Sequence, residues 1–121
     1  MRLCNHWQRR SMAKYVESYF QIPERTFTTQ VINIARWHGW LCCHFRPART
    51  KNGWVTALEG DQGFPDIVAI RGERALMAEL KSAKGKTTVE QDSWLVAAKA
   101  AGIEVYLWMP KDIQEIEAIL K

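Results

Sequence analysis

The sequence contains little cysteine, and the spacing of those few residues excludes common cysteine-based sites. Cys4, Cys42 and Cys43 are the only cysteines of the chain, and no two of them form a CxxC pair. Because neighbours in a strand point to opposite faces, Cys42 and Cys43 are poorly placed to pair or to share a metal ion. We therefore expect buried, reduced thiols of a cytoplasmic protein.

Long hydrophobic runs are also lacking. No stretch approaches the roughly 18 consecutive apolar residues that a membrane-spanning helix needs. The first 20 residues carry charge but no apolar core of about seven residues, which does not fit a secretory signal. The expectation is a protein with no membrane partner.

What the sequence does contain is a modest excess of positive charge. Its 121 residues include 17 Lys and Arg against 13 Asp and Glu, for a net charge of +4. Such an excess suits a polyanionic partner without requiring one. The length allows one core, so we expect a single domain over residues 23–121. Residues 1–22 form a basic extension in which apolar residues recur at helical spacing from Met12 to Phe20.

Apolar periodicity, capping residues and turns predict the order of elements in the domain. The predicted elements are a helix over 23–38, strands over 40–45, 66–70 and 75–81, a helix from Thr87 or Thr88 to Gly102, a strand over 103–109 and a closing helix. The polar segment 46–63 is unusually long for a loop, and Asn52-Gly53 within it favours a tight hairpin. This α/β order predicts helices covering a four-stranded mixed sheet.

Three charged residues stand in the most apolar part of the chain, FPDIVAIRGERALMAELK. If the turn is centred between residues 72 and 73, Asp66 faces Glu79 across the hairpin, with Cβ atoms about 5 Å apart. Lys81 then projects from the same face as Glu79. The flanking residues predict strands buried on both faces, where two opposed carboxylates are unfavourable unless a cation compensates them.

Two kinds of cation fit between these carboxylates. Lys81 alone could neutralise one of them in a structural ion cluster. Alternatively, two carboxylates and a backbone carbonyl are the hard oxygen ligands that Mg²⁺ prefers, and such an ion polarises phosphoryl oxygens and acidifies water. Lys81 would then orient the attacking water, help to deprotonate it or stabilise charge at phosphorus. The sequence leaves these alternatives open.

Basic residues flank this position on both sides. Arg46, Arg49 and Lys51 precede it in the long polar segment. Lys84 and Lys86 follow it at the start of a helix, whose N-terminal N–H groups favour phosphate. Their convergence resembles a track for a nucleic-acid backbone.

These residues resemble a known family. Pro65-Asp66, Glu79-Leu80-Lys81 and the helix residue Gln91, in this order of elements, resemble the PD-(D/E)XK nuclease superfamily. The stretch from Gly63 to Pro110 is similar to its VRR-NUC branch, whose small free-standing members occur in phages and bacteria. The resemblance implies a restriction-endonuclease-like αβββαβ core. It also implies a divalent-metal-dependent endonuclease that hydrolyses DNA phosphodiester bonds with Mg²⁺ or Mn²⁺.

The resemblance also implies roles for single residues. Asp66 and Glu79 would be metal ligands with the carbonyl of Leu80 as a third, Lys81 would be the catalytic lysine, and Gln91 would lie near the site.

The first helix matches the family only in part. Glu24 occupies the position of an acidic residue that would act as an outer metal ligand, but Thr28 stands where the family usually has Gln. A second metal ion is therefore in question. His44, from the first strand, could also approach the site, although a packed or surface histidine is the simpler interpretation.

The expected partners follow from the same resemblance. Small members of the branch resemble structure-specific or Holliday-junction-resolving nucleases that work as homodimers on branched or duplex DNA, in a bacterial or phage-infected cytoplasm. A non-catalytic nucleic-acid-binding module with the same fold is the alternative, although such a module has no need of opposed carboxylates. A structural or interaction protein would instead use some of the six tryptophans.

Overall fold

The computed structural model describes residues 21–46, 48–55 and 57–121. The elements in chain order are α1 (Glu24–Trp37), β1 (Leu41–Cys43), β2 (Ala48–Thr50), β3 (Gly53–Val55), β4 (Ile67–Arg71), β5 (Arg74–Leu80), α2 (Val89–Ala100), β6 (Glu104–Trp108), a 3₁₀ turn (Pro110–Asp112) and α3 (Ile113–Leu120). The helix predicted within residues 1–22 lies almost wholly outside the described residues. In the part of the chain that is described, no helix is long and apolar enough to cross a membrane.

Four strands form one mixed sheet in the order β1–β4–β5–β6. The pairs β1–β4 and β4–β5 are antiparallel, and β5–β6 is parallel. A parallel pair needs a crossover connection, and α2 provides it between β5 and β6. The predicted α/β class and four-stranded mixed sheet are confirmed. The predicted Asn52-Gly53 hairpin is also confirmed, since β2 and β3 pair with each other as a separate two-stranded sheet.

The hydrophobic core lies between one face of the sheet and the helices α1 and α3. On α1 the buried residues Phe27, Val31 and Ala35 recur every fourth position, as the apolar stripe of an amphipathic helix does. The remaining core residues are Trp40, Ile67, Ala69, Leu76, Ala78, Leu80, Trp108, Ile116 and Leu120. Alternate residues of β4 and β5 therefore face this core.

The opposite face of the sheet is covered only in part. Helix α2 packs on β5 and β6, while Ile70 on β4 is 48% exposed. The prediction that β4 is buried on both faces is wrong at this position, because α2 lies over the other half of the sheet. The prediction of buried thiols is likewise wrong for Cys43, which is exposed, while Cys42 is half-buried and both are free.

Arginines from the β4–β5 hairpin fix the end of the sheet where that hairpin turns. The guanidinium groups of Arg71 and Arg74 lie 4.6 and 4.8 Å from the centre of the Trp40 ring. Arg71 donates to the carbonyl of His38, at the end of α1, at 2.9 Å, and to the carbonyl of Leu120, at the end of α3, at 3.0 Å. Carbonyls at helix ends lack partners within the helix, so these bonds tie both helices to the hairpin.

Candidate active site

The predicted carboxylate pair lies at the other end of the same hairpin. The β4–β5 ladder pairs Arg71 with Arg74 across a two-residue turn and ends with Ile67 opposite Ala78. The next position along this register sets Asp66 opposite Glu79. The sequence predicted this register from the position of the turn, and the structure confirms it.

Glu79 is a buried carboxylate with little compensation. It is 1% exposed, although β5 carries it on the face away from the main core. Lys81 Nζ lies 3.0 Å from Glu79 Oε1, and the Lys81 side chain is itself only 11% exposed. Neither carboxylate oxygen has a hydrogen-bond partner of suitable geometry among the described groups. A buried charge that lacks hydrogen bonds is costly, so this position favours a proton or a further cation.

The pKa of Glu79 reflects this environment. This pKa is raised to about 7, first by desolvation on burial and then by the neighbouring Asp66 carboxyl. Lys81 acts in the opposite direction by stabilising the charged form. The neighbouring Asp66 carboxyl therefore disfavours the charged form of Glu79.

Asp66 is held in place through its side chain and its backbone. The Leu80 N–H donates to Asp66 Oδ2 at 2.8 Å, and His44 Nδ1 lies 2.7 Å from the Asp66 carbonyl oxygen. Because a carbonyl only accepts, Nδ1 of His44 carries the proton in this contact. His44 thus reaches the site, through the backbone of Asp66.

The segment before Asp66 is packed tightly against α2. Gly63 has φ +92, and a Cβ there would lie 2.5 Å from the carbonyl carbon of Glu90. Trp94 Nε1 donates to the Gln62 carbonyl at 3.0 Å, and the Phe64 and Trp94 rings meet edge to face at 5.1 Å. These contacts link the position of Asp66 to the helix that follows the site.

Lys81 is positioned by the turn that follows it. A Cβ on Gly85 would lie 3.2 Å from Cβ and Cδ of Lys81, and the Gly85 N–H donates to the Ser82 carbonyl at 3.0 Å. The chain therefore folds back against the stem of the lysine. Sequence reasoning missed this contact, although a glycine four residues after the lysine was a visible signal.

The first residue of α1 also lies beside the site. The pKa of the Glu24 carboxyl is raised, first by desolvation and then by the charge of Asp66, while Lys81 opposes the increase. Thr28 is buried, and its hydroxyl donates to the Glu24 carbonyl at 2.9 Å. Thr28 therefore bonds within its helix, and a role of Glu24 as an outer metal ligand stays a prediction.

Gln91 serves as a helix cap. Its Oε1 accepts from the Thr88 N–H at 2.9 Å, and the Thr88 hydroxyl accepts from the Gln91 N–H at 3.2 Å, which completes a capping box. Glu90 and Asp92 in the first turn further offset the helix dipole. The N-terminus of α2 is thus already complemented by the chain itself, which weakens the expectation that it attracts phosphate. A role of Gln91 at the site stays a prediction.

The five basic residues predicted to bind nucleic acid lie on both sides of the site along the chain. Arg46 follows His44 by two residues, Arg49 lies on β2, Lys51 lies in the β2–β3 turn, and Lys84 and Lys86 follow Lys81. All five are exposed. Within the described ranges, none of them has an acidic partner at ion-pair distance. They remain available for an anionic ligand.

The donor set at the site fits a hard divalent cation. No group of three or more His, Cys, Asp or Glu in the described part of the chain is arranged to hold a metal ion. Mg²⁺, however, commonly takes one or two protein carboxylates and completes its shell with water and substrate phosphate. Asp66 and Glu79 supply such a pair, and the carboxylate oxygens of Glu79 lack hydrogen-bond partners among the described groups.

Comparison with known proteins does not assign the chain to a family. No protein-family model matches it, and no curated protein matches its sequence.

Proposed function

We propose that the protein is a metal-dependent endonuclease that hydrolyses DNA phosphodiester bonds. The observation that carries the proposal is the buried Glu79 carboxylate, which faces Asp66 across the hairpin and lies 3.0 Å from the Lys81 ammonium. A binding surface for DNA gains nothing from such a costly carboxylate pair. The restriction-endonuclease-like core and the VRR-NUC assignment belong to this proposal, and the quoted motifs support them.

The residues of the site would divide the chemistry between them. Asp66 and Glu79, with the Leu80 carbonyl, would hold Mg²⁺ or Mn²⁺. That ion, when bound, polarises a phosphoryl oxygen and makes water more acidic. Lys81 would stabilise the negative charge that develops on the phosphoryl oxygens, or take part in moving the proton of the attacking water. The new bond joins that water's oxygen to phosphorus, and the bond from phosphorus to the 3′ oxygen breaks.

The exposed basic residues would hold the DNA backbone. Arg46, Arg49 and Lys51 lie on one side of the site along the chain, and Lys84 and Lys86 on the other. Contacts of this kind position a nucleic acid without reading its sequence. The finer proposal, a homodimer that cuts branched DNA such as a Holliday junction in the cytoplasm, is supported by the family resemblance alone.

Cleavage of labelled DNA tests this proposal. Single strands, duplex, flap and four-way junction would be incubated with the wild type, Asp66→Asn and the exposed control variant Glu117→Gln, in Mg²⁺, Mn²⁺ or EDTA. We expect cutting that needs a metal ion and falls by more than about 100-fold in Asp66→Asn, because a ligand of the reacting centre is lost. Glu117→Gln should cut like the wild type. Metal-independent cutting, or an Asp66→Asn variant as active as the wild type, would contradict the proposal.

A second candidate is a nucleic-acid-binding module without catalysis. The 3.0 Å contact of Lys81 with Glu79 favours it, because a lysine can neutralise that carboxylate without a metal ion. Under this alternative the DNA is bound and never cut. Binding would then depend strongly on salt and be unchanged by Mg²⁺ beyond that salt effect.

A further inference from the structure

The β2–β3 hairpin is exposed along its whole length. Every residue of both strands is exposed, and among the strands of the described residues the hairpin pairs only with itself. Thr50 stiffens its turn, since its hydroxyl donates to the Gly53 carbonyl at 2.9 Å and accepts from the Asn52 N–H at 3.2 Å. The hairpin is therefore a preformed projection.

This projection combines an aromatic ring with positive charge. Trp54 is 70% exposed and lies directly opposite Arg49 in the ladder. Opposed residues of an antiparallel pair share a face, with Cβ atoms about 5 Å apart. Lys51 adds a second cation at the turn. Exposed aromatic rings among cations are the components with which proteins bind unpaired nucleotides, because rings stack on bases while cations contact phosphates.

The hairpin is also tethered close to the candidate active site. Ala48 follows His44 by four residues, and His44 contacts the Asp66 backbone. Four residues span at most about 14 Å, and three strand residues add about 10 Å. Its tip therefore lies within roughly seven base-pair steps of a nucleotide bound near His44.

We propose that Trp54 stacks on an unpaired base of the nucleic acid, while Arg49 and Lys51 contact the adjacent phosphates. The inference rests on the proposed nuclease function and names the substrate feature that the hairpin recognises. A base inside a continuous duplex is stacked on both faces and offers no face to Trp54. A base at a bulge, branch point or single strand does offer one.

The protein contains a matched control for Trp54. Trp37 is 86% exposed but ends α1, whereas Glu24 at the start of the same helix lies beside the site. Thirteen residues of helix separate these ends by about 20 Å. Removing Trp37 therefore deletes an exposed indole that is not part of the hairpin and lies about 20 Å from the start of α1.

The experiment measures binding in EDTA, so its outcome does not depend on cleavage. Two fluorescent DNAs of equal length, a continuous duplex and a duplex with unpaired thymidines, would be titrated by anisotropy with the full-length protein. The variants are Trp54→Ala, Trp54→Phe, Trp37→Ala and Arg49→Ala/Lys51→Ala.

Trp54→Ala should weaken binding of the bulged duplex by about 5- to 150-fold, the range for loss of one stacked base. It should change binding of the continuous duplex by no more than about twofold. Trp54→Phe should restore much of the loss, and Trp37→Ala should bind both DNAs like the wild type. The double arginine–lysine variant should weaken both DNAs and lower the salt dependence by about one charge per residue removed.

Four results would overturn the inference. Trp54→Ala could bind the bulged duplex like Trp37→Ala, or it could lose affinity equally for both DNAs. It could also lower the oligomeric mass of the protein, and the hairpin would then be a self-association surface. A wild type that binds neither DNA at low salt would overturn it as well. A wild type that shows the expected binding but cuts no DNA would instead contradict the proposed nuclease function and leave this contact standing.

Discussion

Asp66 and Glu79 lie opposite each other one step beyond the last pair of the β4–β5 ladder, and the Leu80 N–H donates to Asp66 at 2.8 Å. The backbone of one strand thus orients the carboxylate of the other. Glu79 has no comparable hydrogen bond from the described groups. This asymmetry determines how the metal-free protein responds to pH.

Glu79 should make the metal-free protein less stable as pH rises. The pKa of Glu79 increases on folding from 4.5 to about 7, so its contribution is fully present below pH 4.5 and is lost as pH rises through 7. Between pH 4.5 and 8 the wild type should lose up to about 3 kcal/mol more than Glu79→Gln, whose amide does not titrate. Urea unfolding in EDTA across this range measures the difference. Parallel pH profiles for the two proteins would contradict the burial argument.

Lys81 should matter for stability mainly through Glu79. Lys81→Met removes the cation 3.0 Å from a buried carboxylate, and at pH 8 this should cost about 3 kcal/mol. The double variant Lys81→Met/Glu79→Gln should regain most of that loss, because no buried charge remains. Chemical unfolding of the wild type, the two single variants and the double variant completes a double-mutant cycle. Additive effects of the two substitutions would show that the pair is not coupled.

Gly63 should be far less tolerant of a side chain than Gly60. Both glycines have positive φ, but a Cβ at Gly63 meets the backbone of Glu90 at 2.5 Å, whereas nothing lies within 4 Å at Gly60. Gly60→Ala should cost about 1 kcal/mol from backbone strain alone. Gly63→Ala should cost at least about 2 kcal/mol more, since the loop must move away from α2. Comparable melting temperatures for the two variants would argue against this close contact.

Gln91 and Thr88 allow the capping role to be separated from a role in cleavage. Gln91→Ala and Thr88→Ala each break one half of the same capping box and should each cost about 1 kcal/mol. If Gln91 also acts at the site, Gln91→Ala should lower the cleavage rate well below that of Thr88→Ala. Equal rates at matched stability would assign Gln91 to the cap alone.

Much of the site could be predicted because hairpin geometry is local. The turn at Gly72 fixes the register of β4 and β5, and this register places Asp66 opposite Glu79. The capping box on α2 was equally readable, because its members lie three residues apart.

The remaining features depend on contacts between distant segments, which no local pattern encodes. The exposure of Ile70 follows from where α2 lies on the sheet. The packing of Gly63 against Glu90 and the approach of Glu24 to Asp66 join parts of the chain far apart in sequence. Periodicity predicted which face of each element is apolar. The packing of whole helices on the sheet determines which of those apolar residues are buried.

The alternation of core-facing and outward-facing residues along β5 has a consequence for the evolution of the site. Ala78 and Leu80 fill the main core, and Glu79 between them points to the other face. A one-residue slip of β5 against β4 would turn Glu79 towards the main core and turn Ala78 and Leu80 away from it. Selection for folding alone therefore keeps positions 66 and 79 opposite each other, even in a descendant that no longer uses their carboxylates.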